Sequence, residues 1–222
     1  MFHIQVLTLF PEFFASPLNC SIPKRALDAG LAIFEAIQIR DFARDRHRKV
    51  DDAPYGGGPG MVMKPEPVVA AIRHARKQQP DTRVIMLTPA GRRFTQNEAR
   101  EMSGWPGITL LCGRYEGFDE RICHYVDDQI SVGDFVLSGG EPAALCIIDA
   151  VIRLLPGALG SHESAEQDSF GHEGLLDWPH YTRPAEFEGH RVPDVLLSGN
   201  HKAIEAWRRE QAHSRTRQRH ED

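Results

Sequence analysis

The sequence predicts an α/β protein with a mostly parallel sheet. Short apolar runs such as Val84–Leu87 and Ile108–Cys112 have the length and composition of strands buried on both faces. Segments with apolar residues at helical spacing, above all Glu66–Lys77 and Glu141–Leu155, alternate with them. Gly- or Pro-bearing turns follow three of the strands at the same end, where open α/β sheets bind their ligands.

The elements follow in order. His3–Leu9 is a first strand. Ile22–Ala29 is a helix that stops at Gly30, which can take the left-handed conformation of a C-terminal cap. Ile33–Ile39 alternates as a strand, and a polar loop runs from Asp41 to Met61. After the Glu66–Lys77 helix and the Val84–Leu87 strand, Thr95 with Glu98 forms a capping box opening a helix to about Met102. Ile108–Cys112 is extended, Asp119–Tyr125 helical and Gln129–Val132 extended. Glu141–Leu155 is the strongest helix, ended by Pro156-Gly157. From Gly157 to Gly174 the pattern breaks into a linker or mobile loop rich in Gly, Ser, His and Glu. Arg183 to Leu197 is irregular, and Asn200 caps a polar helix that carries Trp207 into a basic tail. The expected division is a first domain over 1–160, a linker or lid over 161–175 and a small, mainly helical domain over 176–222.

With 222 residues, 41% of them hydrophobic, the chain can bury a sizeable core. No apolar run is long enough to span a bilayer, and Phe2–Phe10 lacks the basic start of a signal peptide, so the expected location is cytoplasmic. Of four cysteines none forms a Cys-x-x-Cys pair, and Cys112 and Cys146 sit in apolar runs as small core residues. The net charge of −5 argues against a nucleic-acid binder held by bulk charge. Locally the balance differs: from Lys202 to Arg219 six Lys or Arg face two acids, and Arg40–Lys49 is Arg-rich. A solvated face explains either run alone; together they allow a phosphate-binding surface.

The glycine loops match no standard phosphate-binding pattern. A G-x-G-x-x-G run from Gly56 would need glycine where Met61 stands, and no Walker A loop exists. There is no His-Glu-x-x-His and no Gly-x-Ser-x-Gly elbow, and the eleven histidines are scattered, so no metal site is expected. What remains is three turns converging on one sheet edge: Thr88-Pro89-Ala90-Gly91, Gly113 to Gly117 and Gly133 to Gly140. They would make a concave pocket walled by backbone.

Six motifs stand in order: Pro54-Tyr55-Gly56-Gly57-Gly58-Pro59-Gly60-Met61, Cys112-Gly113-Arg114-Tyr115-Glu116-Gly117, Ser131 to Glu141 (SVGDFVLSGGE), Gln167-Asp168-Ser169-Phe170, Leu176 to Pro184 (LDWPHYTRP) and Leu196 to His201 (LLSGNH). On these the chain closely resembles the bacterial tRNA (guanosine-37 N1) methyltransferases. The resemblance covers about Phe10 to Trp207. It implies a deep trefoil knot, which topology rules alone would reject. It also implies S-adenosylmethionine as methyl donor, a tRNA anticodon stem-loop as substrate and a homodimer. By resemblance the donor pocket is formed by Thr88, Pro89, Gly91, Gly113, Tyr115, Glu116, Val132, Gly133, Leu137, Gly139 and Gly140. Magnesium dependence belongs to the family in general, but no ligand cluster for Mg2+ is visible. Two departures are Glu141-Pro142-Ala143, where the family has Glu-Leu-Pro, and Met86, where it often has an aromatic residue.

Guanine N1 carries a proton at neutral pH, so methylating it needs a base. By resemblance that base is Asp168, although an Asx-type turn at Asp168-Ser169 explains the pair from composition alone. Arg153 would steady charge on guanine O6; its plain alternative is an ion pair with Asp149 on the same helix face. Glu116 would favour the cationic sulfonium, its plain alternative being a surface acid. Tyr115 is either core or an adenine contact. The rival functions are a related knotted methyltransferase acting on another RNA position and a noncatalytic RNA-binding protein.

Overall fold

The computed structural model describes residues 1–159, 168–171 and 174–221. The chain divides into two compact units, Met1–Gly160 and Ser161–Asp222.

The first unit holds a five-stranded sheet of β1 (Phe2–Thr8), β2 (Ala32–Gln38), β5 (Arg83–Arg93), β6 (Gly107–Cys112) and β7 (Asp128–Ser131), in the order β2-β1-β6-β5-β7. Every pairing in it is parallel. A short antiparallel ladder joins β3 (Asp51–Asp52), within the expected polar loop of 41–61, to β4 (Val62–Met63), just after it.

The strand runs look continuously apolar because both faces are covered. Alternate residues go to opposite sides, as the two-residue period of a strand requires. Ile4, Val6, Ile85, Leu87, Ile108 and Leu110 pack on one face with Ile147, Ile148 and Val151 of α4 (Glu141–Ile152). Leu7, Val84, Met86 and Leu111 pack on the other with Val68 and Ile72 of α2 (Pro65–Gln78). Helices α1 (Ser21–Asp28) and α3 (Gln96–Ser103) contact α4 on the first face. The capping box that opens α3 is present, with the Thr95 amide donating to Glu98 Oε2 at 2.9 Å.

Two expectations need correction, and a third is met in a different helical form. Val84–Leu87 is only the first part of β5. Pro89 has no N–H to give to the ladder, so 88–91 bow out and β5 returns to register with Arg92 opposite Ile130. Asp119–Tyr125 is helical as expected, in the tighter form of a 3-10 helix over Glu120–Tyr125, begun by Asp119 Oδ1 accepting from the Arg121 amide at 3.0 Å. Cys146 is exposed, not core, because the buried stripe of α4 runs through Ala143, Ala144, Ile147, Ile148 and Val151 and leaves position 146 on the other face.

The second unit contains a hairpin of β8 (Glu186–Phe187) and β9 (His190–Arg191), α5 (Asp194–Leu197) and the long α6 (His201–Glu221). Asn200 caps α6, its Oδ1 accepting from the Ala203 amide at 3.2 Å. The expected lid, 161–175, lies largely outside the described residues. Its described part is tied to this unit: Arg219 stacks over Phe170, and Ser169 Oγ accepts from the Asp177 amide at 3.0 Å.

Candidate active site

Strands β6, β5 and β7 are neighbours, so the segments leaving their carboxyl ends meet at one edge. There they enclose a cavity of about 440 Å³, within the range of small-molecule sites. Ten of the eleven expected pocket residues line it: Thr88, Pro89, Gly113, Tyr115, Glu116, Val132, Gly133, Leu137, Gly139 and Gly140. Gly91 does not. A Cβ there would lie 2.4 Å from the Ile130 amide nitrogen, so Gly91 lets β5 close back onto β7 after the bulge.

The glycines of the wall are places where chain meets chain. A Cβ on Gly140 would come 2.7 Å from Cys112 Cα, and the Gly140 amide donates to the Gly113 carbonyl at 2.9 Å. This pins the start of α4 to the end of β6. At Gly133 a Cβ would strike the Phe135 ring, and at Gly113 the Phe118 ring. The turn at 114–117 is closed by the Gly117 amide donating to the Arg114 carbonyl at 3.1 Å. It holds Tyr115 at φ +61, a left-handed conformation that costs a side-chain-bearing residue about 1 kcal/mol. Tyr115 is therefore turned outward, not into the core, and is 52% exposed. The upstream glycine loop lies against this turn: the Glu116 amide donates to the Met61 carbonyl at 2.9 Å, and a Cβ on Gly60 would collide with the Glu116 carboxylate.

Around the opening, Tyr115, Phe135, Val136 and Leu137 keep apolar surface in solvent. Burial pushes the thiol of the core residue Cys112 well up, helped by the nearby Glu141, so it stays neutral behind the wall. Among the described residues no group of three or more His, Cys, Asp or Glu could hold a metal ion.

The sequence reading missed a buried polar node behind this wall. Glu141, the first residue of α4, is fully buried. Its Oε1 accepts from Thr8 Oγ1 at 2.7 Å, and its Oε2 lies 2.9 Å from Arg114 Nη2. Arg114 stacks 4.3 Å over the Phe10 ring and donates to the Ser138 carbonyl at 3.1 Å. An acid in the first turn of a helix usually answers the helix dipole. The available signal was that an acid starts a helix otherwise almost wholly apolar.

Arg153 caps the end of α4, half-buried, its amide bonded to the Asp149 carbonyl at 3.3 Å; it is not part of the cavity wall. Asp168 belongs to the second unit, in a turn where its carbonyl accepts from the Gly171 amide at 3.0 Å. There the basic residues Lys202, Arg208, Arg209, Arg215, Arg217 and Arg219 are exposed along α6, and Tyr181 packs against Trp207.

Fold and site together define an α/β protein with a small-molecule pocket of loop backbone at the carboxyl edge of a parallel sheet. The comparisons sharpen this. A family model described as tRNA (Guanine-1)-methyltransferase TrmD matches residues 2–222, and the chain belongs to that family. It is 56% identical to the tRNA (guanine-N(1)-)-methyltransferase of Syntrophotalea carbinolica over 212 residues, covering 96% of this chain and 85% of that one. It is 56% identical to the protein of that name from Geobacter sulfurreducens over 214 residues, 96% and 87% of the two chains. The one from Mesorhizobium japonicum is 53% identical over 222 residues, 100% of this chain and 95% of that one.

Proposed function

We propose that this protein transfers a methyl group from S-adenosylmethionine to N1 of guanosine 37 in tRNA, beside the anticodon. Family membership supports the reaction class, and the observation that carries the site is the convergence of the glycine turns on one cavity. The residues there fit the methyl donor. Backbone at Gly113, Gly133, Gly139 and Gly140 allows close approach, the apolar rim at Tyr115 and Leu137 suits a flat purine, and the Glu116 carboxylate suits a cation. When bound, S-adenosylmethionine supplies an electrophilic methyl group.

The chain's own tasks are to bind, to orient and to move one proton. Asp168 accepts the N1 proton, making the nitrogen a nucleophile as the methyl group arrives. Arg153 steadies the negative charge that then gathers on guanine O6. N1 lies on the pairing edge, so the base must leave its stack to react. Single-stranded loops offer such bases. Phosphates of the anticodon stem-loop are held by the basic face of α6. The fold carries the deep trefoil knot of its family. Consistent with that, β7 lies at one sheet edge while α4, which follows it, packs back against β1 and β6. The working unit is a homodimer in the cytoplasm; no described helix is long and apolar enough to cross a membrane.

The test is Asp168→Asn assayed on tRNA transcripts with guanosine or adenosine at position 37. Methyl transfer should occur only to guanosine and be abolished in the variant, while donor binding stays normal. Near-normal turnover would refute the base assignment. Methylation elsewhere would point to a related methyltransferase, and none at all to a noncatalytic RNA-binding protein.

A further inference from the structure

Arg114 is a cation in the wall of a cavity that, on the function just proposed, receives a cationic sulfonium. Its guanidinium is only 18% exposed, and Glu141, 2.9 Å away, is fully buried. This pair is not arranged for maximal bonding. Among the described residues Arg114 Nε is buried without a hydrogen-bond partner, and Glu141 Oε2 faces the guanidinium without an aligned hydrogen bond. What the carboxylate supplies is mainly its charge. Thr8 Oγ1, donating to Oε1 at 2.7 Å, fixes the carboxylate in place beside the guanidinium. A Cβ on Gly139 would strike both Arg114 and Glu141, so the loop at 137–140 is seated directly on the pair.

We propose that Glu141 is a specificity-determining residue: by neutralising Arg114 it keeps the pocket receptive to a sulfonium cation and prevents preference for the neutral thioether product. The inference rests on the cavity being the S-adenosylmethionine site. The two ligands differ by one methyl group and one positive charge, so their affinity ratio reports the charge of the wall. A cavity of 440 Å³ is roughly 9 Å across. An unpaired cation at that distance disfavours another by on the order of 20-fold, taking an effective dielectric of about 20. The other carboxylates on the wall, Glu116 and Glu120, lie at the exposed rim and are common to every variant below.

The experiment is calorimetric titration of S-adenosylmethionine and S-adenosylhomocysteine into the full-length protein and three variants, each checked for folding by circular dichroism. Glu141→Gln leaves Arg114 unpaired, and the sulfonium-to-thioether affinity ratio should fall by about 10- to 20-fold. The double variant Arg114→Gln with Glu141→Gln removes both charges and should return the ratio to that of the unaltered protein. Arg114→Gln alone moves the ratio the other way, toward the sulfonium, and decides the matter if Glu141→Gln does not fold. Equal weakening of both ligands by Glu141→Gln, a shifted ratio in the double variant, or an unmoved ratio in Arg114→Gln would overturn the inference while leaving the pocket assignment intact. Failure of the unaltered protein to bind either ligand would overturn both.

Discussion

Gly140→Ala adds one methyl group where the start of α4 meets the end of β6. Gly140 has φ −78, open to any residue, so backbone strain contributes nothing. The whole effect is steric. The new Cβ would lie 2.7 Å from Cys112 Cα and 3.0 Å from the Gly113 nitrogen, so it falls about 0.7 Å short of ordinary contact at 3.4 Å. Both obstacles are main chain and cannot rotate away. Overpacking of this kind costs about 1–3 kcal/mol. For a protein of this size that lowers Tm by roughly 2–12 °C. Relief requires the Gly113 turn to move, and that turn is pocket wall, so donor affinity should fall about tenfold or more. Gly104→Ala is the internal control. Its Cβ would have nothing nearer than 3.4 Å and its φ is −87, so stability should be equal or slightly higher. Scanning calorimetry and titration with S-adenosylmethionine check both. The reasoning is refuted if Gly140→Ala melts and binds like the unaltered protein, or if Gly104→Ala falls as far.

Other expectations concern separate parts of the molecule. A hydrogen bond from Thr95, with Arg92 nearby, holds the Glu98 carboxyl below its ordinary value of 4.5. Its stabilisation is thus fully present above about pH 4.5 and is lost as pH falls through the lowered value. Glu98→Gln should cost about 1 kcal/mol at neutral pH, and less in acid, when urea unfolding is followed across pH. Arg153→Ala should lower turnover at least a hundredfold with a Tm change of only a few degrees, measured by methyl transfer and calorimetry; an ion pair with Asp149 alone would be worth roughly 0.5 kcal/mol. Raising salt should weaken tRNA binding steeply and donor binding little, in filter-binding and calorimetric assays run side by side.

The legible parts of the sequence were those governed by local rules. Apolar runs gave the strands of β1, β2 and β6 to within a residue or two, because burial on both faces leaves little choice of side chain. Glycine at 113, 133, 139 and 140 marked the pocket because a missing Cβ is itself the requirement for close approach. Gly91 carries the same signal for another reason, the return of β5 to β7, and composition cannot tell the two apart. The bulge at 88–91 was hidden because Pro after a strand usually ends it. The Arg114–Glu141–Thr8 node was hidden because its members lie far apart in the chain and each has an ordinary local explanation.

The interrupted ladder of β5 has a mechanical consequence. Residues 88–91 are anchored before the gap by Leu87 beside Ile130 and after it by Arg92 and Arg93 beside Ile130 and Ser131. This side of the pocket is a fixed jaw, gripped at both ends by the same neighbouring strand. The segment at 134–136 has no such ladder on the cavity's wall, and its Phe135 and Val136 stand out in water.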